Sequence, residues 1–146
     1  MKNIHGFWSV SRVGNVIVKT SAGDFNEEGV RTSLAEIEAL IPHAQPWAAL
    51  FDSSSWEMTS AGNLEIIANF EARMIQHGCQ RIACVVRAGM RTAIHKQFAG
   101  RLPVEQLQYF PALQDACDWL TQGGFSITPE TYPHHAFLSV HNPSEG

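Results

Sequence analysis

The stretch WAALFDSSSWEMTSAG, from Trp47 to Gly62, decides how the rest of the chain is arranged. Residues 47–51 are apolar, as expected for a strand that is buried on both faces of a sheet. Polar residues follow from Asp52, and Thr59-Ser60 then opens a pattern typical of a helix. An apolar strand that delivers a polar loop to a helix N-terminus is how α/β sheets build their binding sites. The stretch therefore predicts an α/β fold with its site in this segment.

The chain before this stretch predicts a β-hairpin and a helix. Ile4 to Val10 and Val16 to Thr20 are rich in β-branched and aromatic residues, and Gly14-Asn15 between them suits a tight turn. Asn26 is expected to cap a helix that Pro42 stops. The apolar face of this helix consists of Val30, Leu34, Ile37 and Ile41.

The chain after Asp52 continues as alternating helices and strands. The second helix is predicted from Thr59 or Ser60 to His77, with Gly78 directly after it. Its inward face is expected to carry Leu64, Ile67, Ala68, Met74 and Ile75. The remaining elements are a strand over 82–86, a short helix over 90–98, a strand over 107–110 and a last helix over 113–120.

These elements predict a single domain over residues 1–124. Its sheet is mixed, with about five strands, an N-terminal antiparallel hairpin and a parallel centre, and about four helices cover it. Residues 125–146 form a proline-containing tail that is expected to hold at most a short strand or clip over 136–140. The tail either packs on the domain or lies at a dimer contact, and the sequence leaves both interpretations open.

The composition narrows the class of protein. The chain has 146 residues, which suits one domain, and a formal net charge of −4 without a Lys/Arg-rich segment, which disfavours nucleic-acid binding. No apolar run reaches the length of a membrane span, and no secretion signal is recognisable. Cys79, Cys84 and Cys117 make an odd count without a CxxC pair, so we expect buried thiols in a cytoplasmic protein.

Three segments together carry a family resemblance. A strand at Val16 leads to Gly23-Asp24-Phe25-Asn26, the strand ending at Asp52 leads to Thr59-Ser60-Ala61-Gly62, and Tyr109-Phe110 leads to Ala116-Cys117-Asp118-Trp119-Leu120. In order and spacing, these segments resemble the SpoIIAA-like branch of the STAS (anti-sigma-factor antagonist) superfamily. The resemblance implies a SpoIIAA/STAS-like α/β domain that acts as a non-enzymatic regulatory module.

The resemblance also points to a regulatory serine. In phospho-regulated members of the family, a serine at the start of the second helix is phosphorylated by a partner kinase, which switches partner binding. A phosphate there adds nearly two negative charges beside free backbone N–H groups. The family's Asp-Ser-Ser-Gly corresponds to Thr59, Ser60, Ala61 and Gly62, so Ser60 is the phosphoacceptor candidate that remains at the motif.

We expect the chain to dock an unidentified regulatory protein through the loop 52–58 and the start of the second helix. The candidate partner-binding or regulatory residues are Asp52, Ser53, Ser54, Ser55, Trp56, Thr59, Ser60 and Gly62. Trp56 has two interpretations, an interface anchor or a lid folded back onto the core. Thr59 or Ser60 could instead have a purely structural role as the cap of the helix. Asp52 could likewise serve only to accept hydrogen bonds from the backbone of the following loop.

Other functions find less support in the sequence. The many large apolar residues around the central strands allow an alternative, a carrier of an apolar small molecule or lipid in a cavity between helix and sheet. No catalytic constellation, metal-ligand spacing or cofactor motif is recognisable, so no enzyme activity, metal or cofactor is predicted. Arg87 and Arg91 near a helix start could hold an anion, but a solvated loop is the simpler interpretation. An exposed hairpin edge or the tail could also pair two chains in a homodimer.

Overall fold

A computed structural model describes residues 3–42, 45–57, 59–98, 103 and 105–141. Five strands form one sheet in the order β1-β2-β3-β4-β5, in which β1 runs antiparallel to β2 and all other neighbours are parallel. This confirms the mixed sheet and the initial hairpin. The elements are β1 (Phe7–Val13), β2 (Val16–Gly23), α1 (Glu27–Glu38), β3 (Trp47–Trp56), α2 (Ala61–Gln76), β4 (Cys79–Val85), α3 (Ala88–Phe98), β5 (Leu107–Phe110), α4 (Leu113–Gln122) and α5 (His135–His141).

The hairpin turn depends on a glycine. Val13 pairs with Val16, so Gly14 and Asn15 alone connect β1 to β2. Gly14 has a φ of 56°, which lies in the left-handed region that two-residue hairpin turns require and that glycine adopts without strain.

The sheet carries an apolar core on each face because β3 is buried on both sides. Trp47, Ala49 and Phe51 belong to the core that α1 and α2 cover, whereas Ala48 and Leu50 belong to the core beneath α4. Successive side chains of a strand point to opposite faces, so the continuous apolar run supplies both cores at once. The three cysteines are buried in these cores, as predicted.

β3 is longer than the sequence predicted. It continues beyond Phe51 through Trp56, where Ala22 pairs with Ser55 and Gly23 with Trp56. The predicted loop 52–58 is therefore wrong for residues 52–56, which are strand, while Met58 lies outside the described residues. The register shifts between Thr20 and Ala22, which adds one residue on the β3 side. This bulge breaks the alternation and puts Trp56 in the same core as Phe51.

Both helices beside the candidate site begin at side-chain caps. The Asn26 side chain accepts a hydrogen bond from the Gly29 amide at 2.9 Å, as predicted. The Ser60 hydroxyl accepts one from the Asn63 amide at 3.1 Å, so α2 begins where Thr59 and Ser60 predicted it. Such a cap contributes about 1 kcal/mol.

The chain after α4 differs from the prediction. Residues 135–141 form a helix, α5, rather than a strand or clip, so the described part of the chain has five helices instead of four. Phe125, Ile127 and Tyr132 are buried in the core beneath α4, and Leu138 packs against them. Burial of these apolar side chains anchors the segment, which lets a short helix form that its own propensity would not sustain.

Candidate functional site

The start of α2 presents three small exposed residues, Ser60, Ala61 and Gly62. Thr59 holds this helix start in place, because its hydroxyl donates to the Phe25 carbonyl at 3.1 Å and accepts from the Asn63 amide side chain at 2.9 Å. The first turn of α2 has no acidic residue, so the partial positive charge of its free N–H groups is not balanced within the helix. This surface can therefore receive an acceptor or an anionic group.

Asp52 does not reach this surface. It is 3% exposed and accepts hydrogen bonds from the Ser54 amide at 3.0 Å and the Ser54 hydroxyl at 2.6 Å. Its other carboxylate oxygen accepts from the Tyr132 hydroxyl at 3.5 Å. Asp52 thus accepts hydrogen bonds from the residue two positions later, which confirms the structural role predicted for it as a backbone acceptor. Its carboxylate also contacts Tyr132 of the C-terminal segment.

Trp56 is a core residue and not a surface anchor. It is 7% exposed, and its ring meets the ring of Phe25 edge-on at 6.1 Å between centroids. The Arg87 guanidinium donates to the Trp56 backbone carbonyl, which gives Arg87 a structural role at the end of β3. The indole Nε1 of Trp56 is buried and has no hydrogen-bond partner among the residues that the structure describes.

The predicted site residues therefore separate into four environments. Thr59, Ser60 and Gly62 lie at the start of α2, while Asp52 contacts Tyr132 of the C-terminal segment and accepts from Ser54. Ser53 and Trp56 line a cavity on the opposite face of the sheet, and the hydroxyl of Ser55 is buried without a partner in the described part of the chain.

The cavity lies between the sheet and the helices α1, α2 and α3 and has a volume of about 60 Å³. Most of its lining is apolar: Phe25, Val30, Leu34, Ile37, Phe51, Trp56, Leu64, Ile67, Ala68, Phe70, Val86, Ile94 and Phe98. Its polar lining consists of Lys19, Ser21, Ser53, Glu71, Cys84 and Tyr109. The volume is small beside the roughly 300–1,000 Å³ of sites for drug-sized ligands, so it gives no support to carriage of a lipid acyl chain.

Lys19 and Glu71 are the two ionisable groups that define this cavity. The Lys19 ammonium donates to the Ser33 hydroxyl at 2.8 Å and lies 5.5 Å from the Phe25 ring centroid. Lys19 retains some exposed surface, yet burial of its ammonium group lowers its pKa to about 8, against the attraction of Glu71 and Glu36. Burial raises the pKa of Glu71 to about 7, against the attraction of Lys19.

Cys84 adjoins the same carboxyl group. Its sulfur lies 3.8 Å from Glu71 Oε2, and burial together with Glu71 raises the thiol pKa well above its ordinary value. The thiol therefore stays protonated and acts as a weak donor rather than as a nucleophile.

The sequence reasoning missed Lys19 and Glu71, although each leaves a signal. Glu71 lies four residues after Ile67 and three before Met74, so it falls on the apolar stripe of α2. Lys19 interrupts the apolar run of β2 at a position that points toward α1. A charged residue on a face that must be buried is the pattern that could have identified both.

A second polar network lies on the opposite face of the sheet and holds the C-terminal segment. The two ring nitrogens of His134 contact the hydroxyl of Ser11 at 2.7 Å and that of Thr20 at 2.8 Å. The Tyr132 hydroxyl bonds to the same Thr20 oxygen and reaches Asp52. Burial lowers the pKa of His134, and the negative charge of Asp52 opposes this shift.

This network resembles a catalytic triad only in part. A triad needs a carboxylate on the second ring nitrogen to orient the histidine and stabilise its charged form. Here a threonine hydroxyl contacts that nitrogen, so the network lacks the carboxylate of a triad. In the described ranges no cluster of three or more His, Cys, Asp or Glu side chains could hold a metal ion.

Comparison with known proteins identifies the fold. No protein-family model matches the chain, and no curated protein sequence matches it significantly. An anti-sigma factor antagonist from Mycobacterium paratuberculosis superposes with a TM-score of 0.63 at 19% identity, over 80% of this chain and 95% of that one. An uncharacterised protein with a SpoIIAA-like fold from Shewanella loihica superposes with a TM-score of 0.54 at 16% identity, over 82% and 97% of the two chains. The chain therefore has a SpoIIAA-like fold, which confirms the fold that the resemblance implied. Within the described part of the chain, every helix is too short or too polar to span a bilayer.

Proposed function

We propose that this chain is a non-enzymatic regulatory module that binds a protein partner through the start of α2. The observation that carries the proposal is the exposed, capped Ser60 in a patch of small side chains, braced from below by the bond from Thr59 to Phe25. The fold that the chain shares with an anti-sigma factor antagonist supports a regulatory role. No catalytic arrangement is needed for such a role.

The patch suits close approach by another protein. Ser60, Ala61 and Gly62 leave the backbone of the first helical turn accessible, and a Cβ added at Gly62 would meet only the Ser60 hydroxyl oxygen, at 3.8 Å. Gly62 has no positive φ, so its lack of a side chain is not required by the backbone. A small residue at this place fits a surface against which a partner packs.

Ser60 is the proposed point of regulation. A phosphate on its exposed hydroxyl would lie at the positive end of α2, beside N–H groups that have no partner inside the helix. It would also add charge and bulk to the patch, which changes its fit to a partner. Docking at the patch does not depend on this modification.

Two matched glycine variants test the docking surface. Gly62 and Gly89 both occupy the second position of their helices, and a Cβ at Gly89 would meet nothing within 4 Å. Gly62→Gln should abolish capture of the partner from a cell lysate, whereas Gly89→Gln should retain the same captured proteins as the wild type. Quantitative mass spectrometry of the captured proteins measures this. If Gly62→Gln and Gly89→Gln capture the same proteins in equal amounts, the proposed surface is wrong.

A further inference from the structure

We propose that the cavity between α2 and the sheet binds a small aliphatic carboxylate, with its head group held by Lys19 and Trp56. This proposal is independent of docking at the start of α2, because it concerns the interior on the covered face of β3 and not the exposed patch.

Two hydrogen-bond donors, Lys19 and Trp56, line this mostly apolar cavity. Trp56 is 93% buried and lines the cavity, and its indole N–H has no acceptor among the described residues. A buried indole N–H normally has a partner, so this one calls for an acceptor that the described chain does not supply. The Lys19 ammonium carries three N–H donors, of which the Ser33 hydroxyl takes one. Both groups can only donate, so the complementary ligand group is an acceptor.

The charges of the cavity favour an anionic acceptor. Lys19 is a cation close to an aromatic ring, and a carboxylate would pair with it in surroundings of low polarity, where charge-assisted hydrogen bonds are strong. Glu71 would oppose a second negative charge if it were ionised. Burial raises its pKa to about 7, so it is about half protonated at pH 7 and mostly protonated at about pH 6, and the neighbouring Cys84 thiol stays protonated as well. A ligand amine would meet Lys19 as a like charge.

The walls limit the rest of the ligand to a short apolar chain. Val30, Leu34, Phe70 and Ile94 line the cavity, and its volume of about 60 Å³ accommodates a few carbon atoms. Leu64 and Ile67 of α2, which also line the cavity, are only partly buried. These limits select short-chain carboxylates over long-chain fatty acids.

Titration with propionate at about pH 6 tests the site, with 1-propanol as a probe of similar length that lacks the negative charge. Calorimetry should show saturable binding of propionate, and the NMR signal of the Trp56 indole N–H should shift. Lys19→Met keeps an unbranched side chain without the charge, and Trp56→Phe removes the indole N–H while leaving more space, so each should weaken propionate binding about tenfold or more. Trp119→Phe is the control, because Trp119 packs on the other face of the sheet and its loss should leave binding unchanged.

Three results would overturn the proposal. The first is the absence of saturable propionate binding by the wild type at about 10 mM, a concentration that detects even millimolar affinity. The second is equal binding of propionate by the wild type and by folded Lys19→Met and Trp56→Phe variants. The third is equal affinity for propanol and propionate, which would make the cavity a merely apolar pocket.

Discussion

The hydroxyl of Thr59 donates a hydrogen bond to the carbonyl of Phe25, 34 residues earlier in the chain, at 3.1 Å. This bond joins the start of α2 to the loop before α1, so two segments that follow adjacent parallel strands are held as one surface. A hydroxyl can donate to a carbonyl whereas a carboxylate cannot, so this contact needs a residue such as threonine at this position.

Replacement of this hydroxyl should loosen the surface. Thr59→Val keeps the shape but leaves the Phe25 carbonyl and the Asn63 side chain without this partner. We expect a loss of about 1–2 kcal/mol in the free energy of unfolding, measured with urea, together with weaker partner capture. Thr92→Val is the control, because the Thr92 hydroxyl donates to the Ala88 carbonyl within its own helix. Equal stability of the two variants would show that the bond contributes nothing.

Two substitutions of Ser60 should separate its role as the cap of α2 from the effect of a negative charge at this position. Ser60→Ala removes the bond to the Asn63 amide and should cost about 1 kcal/mol, whereas Ser60→Asp keeps a capping oxygen and should cost little. Partner capture should nevertheless change in Ser60→Asp, since the new charge lies in the proposed surface. If Ser60→Asp captures as much partner as the wild type, and only the less stable Ser60→Ala captures less, a regulatory role of this position is wrong.

Helix α4 allows the opposite experiment, in which a missing cap is added. The N-cap of α4 is Ala112, which has an extended backbone and makes no side-chain cap bond. Ala112→Ser should therefore stabilise the protein by about 0.5–1 kcal/mol, measured as a higher urea midpoint with an unchanged slope. A lower midpoint would mean that the exposed alanine makes a contact that the serine disrupts.

Glu71 should make the stability fall between pH 4.5 and 7. Its pKa is raised from 4.5 to about 7, so in this window the folded chain holds a proton that the unfolded chain has released. Stability is therefore highest below the unfolded pKa and is lost as the pH rises toward 7, by on the order of 2–3 kcal/mol. Lys19 acts in the opposite sense at higher pH, because its lowered pKa favours the unfolded chain as the pH falls from 10.5 toward 8.

Glu71→Gln isolates this effect. The variant should match the wild type near pH 5 and exceed it in stability near pH 7.5, as urea unfolding at both pH values would show. Glu38→Gln serves as the control, because Glu38 is exposed at the end of α1. If the Glu71→Gln difference does not change with pH, the carboxyl group is not protonated in the fold at pH 5–7.

His134 should make the local stability of the C-terminal segment depend on pH. Its pKa is lowered by burial, so the unfolded chain takes up a proton more readily than the folded one and the contribution of His134 is lost as the pH falls from about 6.5. We expect amide hydrogen exchange in residues 135–141 to become faster, relative to the β3 amides, between pH 7 and 5 after correction for intrinsic rates. His134→Gln should remove this pH dependence, while substitution of the exposed His77 should not.

The candidate site was predictable only where its signals are local. The caps at Asn26 and Ser60 and the turn at Gly14 depend on a side chain and the backbone beside it, so their positions could be predicted from residue type and spacing. The role of Asp52 as an acceptor for nearby backbone follows the same logic. The alternating apolar segments likewise predicted all five strands, although the end of β3 was misplaced.

The remainder depends on contacts between distant segments. Ser53 to Trp56 looked like a polar loop because serines seldom mark a strand, yet they pair with the end of β2. The C-terminal helix forms because Tyr132, Leu138 and His134 are anchored on the sheet, and no property of residues 135–141 alone indicates this. Pairing with β2 overrides local propensity in the first case, and burial with side-chain hydrogen bonds to the sheet does so in the second.

Residue patterns along the chain were enough to predict the order of the five strands and the first four helices, the SpoIIAA-like fold and the position of Ser60 at a helix start. Periodicity and capping are properties of neighbouring residues, so they are fixed along the chain. Only the tertiary structure decided that Trp56 faces inward and that Lys19 and Glu71 share one cavity. The physical reason is that one extra residue in β3 reverses the face of Trp56, and that extra residue exists only through pairing with β2.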